Sequence, residues 1–176
     1  MGNIIFINEF IFKIFHVGIF KDDRSKYFGS GARFTNELIP CNTLSGGVSA
    51  WRREVFDNVK FDDLNGFHML EDIDYSTRAF NYYGERFFIN TSAYLSHYPS
   101  PINRFDGAVK YRRKTFEFIL FYKKRRSIKF SRISLIWLLI GLMLESLLHS
   151  FLSRSVGPIN GYLKGLSDGL QAKPKF

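Results

Sequence analysis

Glu71 and Asp72 are adjacent carboxylates standing just ahead of a helical pattern. A carboxylate beside a substrate hydroxyl can act as a general base, taking the proton as the oxygen attacks. The pair also has a plainer use. Acidic side chains at a helix start are favoured by the dipole and by unpaired backbone N–H groups, and residue type alone points to that use. Asp74 and Arg78 stand four residues apart, the spacing of a structural ion pair. Upstream, Gly46-Gly47 can bring backbone close to a ligand or take a positive φ, or simply turn the chain before a strand. Arg52 and Arg53 follow, and a guanidinium there can face a diphosphate or sit in solvent at a helix end. His97 closes the stretch at the end of a strand, where a histidine serves either a site or only its own hydrogen bonds.

These residues need elements to hold them. Ile73, Thr77 and Phe80 share a helical face, which predicts a helix over Ile73–Tyr83 with Gly84 as its C-cap. A shorter helix is expected over Arg52–Asn58. Strands are expected over Val48–Trp51, Arg86–Asn90 and Ala93–Ser96. Arg33 to Asn42 is ambiguous, with Pro40 favouring an extended approach. Phe61 to Phe67 is turn-rich. Tyr98-Pro99-Ser100-Pro101 is a stiff loop leading to Arg104.

Bulk properties narrow the class. A chain of 176 residues with 45% hydrophobic and 18% aromatic content has a real core. Its single cysteine, Cys41, excludes an intrachain disulfide and a cysteine-cluster metal site. A formal charge of +9 implies an anionic partner. No nucleic-acid motif is present, and the basic residues crowd beside an apolar run, so a membrane surface is the expected partner and nucleic acid is not. Met1 to Phe20 is rich in Ile and Phe but carries Glu9, Lys13 and His16. It makes a poor signal peptide and reads as a buried or interface-lying helix.

From Arg104 to Arg132 ten basic residues beginning at Lys110 are opposed only by Asp106 and Glu117, while Tyr111, Phe118 and Tyr122 share a helical face. A basic aromatic helix of this kind suits a membrane surface. Ile133 to Leu152 is long enough to span a bilayer. Gly141, Glu145, His149 and Ser153, however, form one polar stripe at four-residue spacing. That favours a helix in the interface or against a partner helix, with a true span left open. Gly161, Gly165 and Gly169 form a small-residue face whose natural partner is the helix near Gly141.

In order and spacing, Gly46-Gly47, Arg52-Arg53, Glu71-Asp72 and His97 resemble the acceptor-side half of family 2 glycosyltransferases, which have the GT-A fold. The resemblance implies an α/β fold, a partial GT-A mixed sheet with an exposed edge and a helical C-terminal membrane-associated tail. It divides the chain into an apolar N-terminal helix and connection (1–28), an acceptor-side part (29–104) and a basic, then apolar, helical tail (105–176). By the same resemblance, Asp72 is the general base for inverting transfer of a sugar, and Glu71 helps position it. Gly46 and Gly47 admit the sugar. Arg52, Arg53 and Arg104 serve substrate binding, with Arg104 neutralising diphosphate, and His97 aids metal or diphosphate binding. The implied partners are a nucleotide-sugar donor and a glycan or lipid-linked acceptor, with divalent Mg or Mn in the complete enzyme. No donor-type strand–loop–helix unit precedes Gly29, and no Asp-x-Asp precedes Gly46. The expectation is therefore an acceptor half, inactive alone, at the cytoplasmic face of a membrane, with its donor half on a partner chain or missing. A non-catalytic membrane-associated binding protein derived from a transferase is the alternative.

Overall fold

The computed structural model describes residues 14–15, 38–41, 43–44, 46–93, 96, 106–124 and 132–176. Its elements are β1 (Leu38–Pro40), a 3-10 turn (Gly46–Val48), α1 (Arg53–Asn58), α2 (Glu71–Tyr83), β2 (Phe88–Asn90), α3 (Gly107–Lys124), α4 (Arg132–Leu152) and α5 (Gly157–Gln171). The described chain is mostly helical with a small two-stranded antiparallel sheet, a mixed α/β class. It forms two compact units, Lys21–Pro99 and Met1–Phe20 with Ser100–Phe176.

In the first unit β1 pairs with β2 in the register Leu38 to Asn90 and Pro40 to Phe88. Cys41 extends the pairing by donating its N–H to Phe87 O at 2.9 Å. Beneath lie Cys41, Val55, Val59, Tyr75, Ala79 and Phe87, with Trp51 and Phe80 packed alongside. Trp51 meets Tyr75 and Phe87 edge-on at 5.0 and 5.2 Å, and Phe61 stacks on Tyr75 at 4.1 Å. Aromatic rings thus join α1, α2 and β2 into one core. Helix α2 ends at Gly84, whose φ of 74° few other residues take without strain and whose N–H reaches Phe80 O at 2.8 Å.

The strand expected at Val48–Trp51 is absent, and that expected at Ala93–Ser96 falls partly outside the described residues. Val48 belongs to the 3-10 turn, and Ser49 to Trp51 have no ladder partner. The chain there is held by side chains instead, with Trp51 Nε1 donating to Ser49 Oγ at 2.8 Å. After β2, Asn90 Oδ1 accepts the N–H of Ser92 at 3.0 Å. This turn leaves Ala93 and Ser96 outside any strand, while Tyr94 and Leu95 lie outside the described residues. The expected mixed sheet is thus, among the described residues, a single antiparallel pair.

The second unit is built on close approach of α3 and α5. A Cβ added at Gly161, Gly165 or Gly169 would lie under 3.0 Å from Ala108, Arg112 or Ile119 respectively. The glycine face therefore packs on α3. The expected partner, the helix near Gly141, is displaced because Phe15 occupies that spot. Phe15 also stacks on Trp137 at 4.6 Å, and Trp137 Nε1 donates to Ile14 O at 3.1 Å. Burial of Tyr111 and Phe118 confirms the aromatic face of α3, although protein covers it.

Glu145 is 9% exposed on α4, and its carboxylate meets Lys114 Nζ at 2.7 Å and the Tyr111 hydroxyl at 3.2 Å. Burial pushes the Glu145 carboxyl up. The Lys114 ammonium, with Lys110 and Tyr111, pulls harder and holds it below the usual carboxylate range. Burial, then the Glu145 charge, drives the Tyr111 hydroxyl far above its own range.

Gly161→Ala should test the helix contact. Helix propensity alone would stabilise the variant by about 1 kcal/mol, whereas a methyl group against the Ala108 backbone should destabilise it by about 1–3 kcal/mol. Urea unfolding should show loss; a gain would contradict the contact. Glu145 also predicts a pH dependence. Its folded pKa is lowered, so its contribution is full above the unfolded value of about 4.3 and is lost as pH falls through the folded one. Acid titration of stability should show this slope, and Glu145→Gln should remove it.

Candidate functional site

Helix α2 carries two faces within its first two turns. Positions 72 and 74 are separated by roughly 200° around the axis. Asp74 turns inward, is 1% exposed, and accepts from Arg78 Nε at 2.8 Å. Arg78 also donates to Lys60 O and lies over the Tyr75 ring at 5.7 Å. The pair is structural, as its spacing indicates, and it anchors the chain after α1 to α2.

Asp72 and Ser76 are one turn apart on another face, and both grip the chain where it enters the 3-10 turn. Gly46 N–H donates to Asp72 Oδ2 at 3.2 Å. Ser76 Oγ accepts the Leu44 N–H and donates to Leu44 O, each at 3.0 Å. Asp72 Oδ1 accepts the N–H of Ile73 at 2.8 Å. A Cβ at Gly46 would stand 3.3 Å from Asp72 Cβ, so the absence of a side chain permits the approach. Two motifs separated by 26 residues are thereby brought into direct contact, with Asp72 half-buried and Gly46 and Gly47 exposed. A half-buried carboxylate so held can accept a proton from a hydroxyl placed beside the glycines.

Glu71 is exposed and opens onto a neighbouring cleft of about 260 Å³ with Phe61, Asp62, Asp63, Phe67 and Asp74. Arg52 and Arg53 are exposed at the start of α1, and Arg52 faces Glu54 at 3.8 Å. Neither arginine pairs with Asp72 among the described residues. His97 and Arg104 lie outside the described residues. Ser76 was not singled out from the sequence, though its position four residues after Asp72 puts it on the same helical face.

Among the described residues there is no group of three or more His, Cys, Asp or Glu side chains that could hold a metal ion, and His97 lies outside them. Asp72 and Asp74 have metal-motif spacing, but one binds the glycine loop and the other a guanidinium on a different face.

No family model, curated protein or solved structure matches this chain.

The two aspartates should separate in stability. Asp74→Ala leaves the Arg78 guanidinium without its carboxylate and should cost about 3 kcal/mol. Asp72→Asn keeps an acceptor for Gly46 and should cost under about 1 kcal/mol. Chemical denaturation of both variants checks this; equal losses would refute separate roles.

Proposed function

We propose that this chain carries the acceptor side of an inverting family 2 glycosyltransferase, with Asp72 as general base. The observation that carries the reading is the hydrogen bond between Gly46 and Asp72. It places the glycine turn and the acidic pair at one surface, as an acceptor-activating site requires. The sugar acceptor's hydroxyl loses its proton to Asp72 as its oxygen bonds to the anomeric carbon. The bond from that carbon to the nucleotide diphosphate breaks, and the configuration inverts. Glu71, at the mouth of the adjoining cleft, positions the acceptor through its hydroxyl groups. Gly46 and Gly47 leave room for the sugar, while Arg52 and Arg53 offer cationic side chains to the diphosphate.

The donor nucleotide and its divalent ion belong to the donor half of the complete enzyme. The acceptor is a cell-surface glycan or lipid-linked precursor. Helix α4 is long and apolar enough to cross a membrane, and the basic stretch before it suits the anionic cytoplasmic leaflet. Both features are consistent with work on a lipid-linked acceptor at the cytoplasmic face.

Calorimetric titration of the purified chain with nucleoside diphosphates and Mg²⁺ or Mn²⁺ should show no metal-dependent binding. With the donor half added, sugar transfer should appear, and Asp72→Asn should reduce kcat by about 100-fold or more. Undiminished transfer by that variant, or efficient transfer by the purified chain alone, would reject the proposal.

A further inference from the structure

Helix α4 is divided lengthwise. Leu138, Gly141, Leu142, Glu145 and Ser146 are buried within its own unit. Ile133, Ile136, Ile140, Leu144, Leu147 and Phe151 are exposed, from 38% at Ile140 to 82% at Phe151. Their spacing of three and four residues makes one continuous apolar stripe along about 27 Å of helix. A surface of this length calls for a partner.

The attachments of α4 decide how lipid can meet that stripe. Tyr162 donates to Leu139 O at 3.1 Å, Lys114 and Tyr111 meet Glu145, and Ile159 N–H donates to Ser150 Oγ at 3.1 Å. These contacts run through the central and C-terminal parts of α4, so α3 and α5 lie along its middle. Those two helices are charged at the same level. Arg112 pairs with Asp168 at 2.8 Å in an exposed position, and Lys164 is exposed on α5. A perpendicular α4 would carry these charges into the hydrocarbon, where ionised groups are costly. A parallel α4 keeps them on the water side while its stripe enters lipid.

We infer that α4 lies in the plane of an anionic bilayer, its Ile133–Phe151 stripe in the acyl region and its Glu145 face turned to α3 and α5. Charge names the lipid class. Residues 106–176 contain 14 Lys and Arg against 4 Asp and Glu, while the rest of the chain is nearly neutral. The positive charge therefore resides in the helical segment that bears the stripe. Arg132 and Arg154 flank it at its two ends.

This inference rests on the membrane association proposed above but not on sugar transfer. Asp72→Asn should leave vesicle binding unchanged, so the two readings fail separately. The test uses the full chain with vesicles of equal parts phosphatidylcholine and phosphatidylserine. Tryptophan reporters are placed one at a time at positions 137, 144 and 151 by using Trp137 itself or Leu144→Trp or Phe151→Trp with Trp137→Phe, all in a Trp51→Phe background checked by circular dichroism. Lipids brominated at shallow and deep acyl positions then report depth. The expected result is equal, shallow quenching at all three sites. Deeper quenching at 144 than at both 137 and 151 would mean a spanning helix and overturn the inference. Leu144→Asp with Leu147→Asp should weaken vesicle partition about tenfold or more without loss of helicity. Undiminished partition, equal binding to pure phosphatidylcholine, or self-association of the chain in place of vesicle binding would also overturn it.

Discussion

A carboxylate removed from water must find a cation, and this constraint orders both units. In one, Asp74 is drawn inside by Arg78 at 2.8 Å. In the other, Glu145 is drawn inside by Lys114 at 2.7 Å. Each capture fixes the rotation of a helix about its axis. Once Asp74 faces inward, helix geometry turns Asp72 away from it, toward the loop that carries Gly46. Once Glu145 faces inward, the apolar residues on the far side of α4 must face outward. A structural ion pair therefore turns a second carboxylate toward the glycine loop in one case and an apolar stripe outward in the other. Neither result needs the pair to be a large net source of stability. Desolvation offsets much of the attraction, but loss of one partner leaves a buried charge and is costly.

The sequence showed local relations better than distant ones. The Asp74–Arg78 pair, helix α2 and the Gly84 cap all depend on residues a few positions apart, and each is found in the structure. The glycine face of α5 was legible too, since spacing alone puts the three residues in line. Its partner was not, because spacing fixes a face without saying what covers it. Helix α3 covers it, while Phe15 fills the place at Gly141 that the expected pairing needed. Glu145 was visible as an oddity in an apolar run. Lys114, which explains it, lies 31 residues away, with several other lysines and arginines close to it in sequence.

Val48 to Trp51, and Ala93 and Ser96 of the second expected strand, stand outside any strand for a different cause. Residue type can suit a strand, but a strand exists only where another offers a ladder. Asp72 and Ser76 hold the first segment's approach through side-chain bonds to Gly46 and Leu44. Asn90 turns the chain ahead of the second by capturing Ser92. Short polar side chains thus satisfy backbone groups that sheet pairing would otherwise have used. The same competition makes the candidate site. Had Gly46 been committed to a sheet, Asp72 would not be its partner.

Glycine has two consequences in α5. Three interior glycines weaken an isolated helix by about 1 kcal/mol each relative to alanine. They also remove the side chains that would keep α3 away, so the backbones come close enough to exclude water over a long seam. Propensity given up locally is offset by packing that only the assembled unit supplies. Helix α5 is consequently a poor helix by itself and a well-placed one against α3. Arg112 and Asp168 bridge the seam's outer edge at 2.8 Å, but the pair is largely exposed and screened, so it adds little beside the packing. The seam holds the charged helices together on one side of α4 and leaves the apolar stripe on the other.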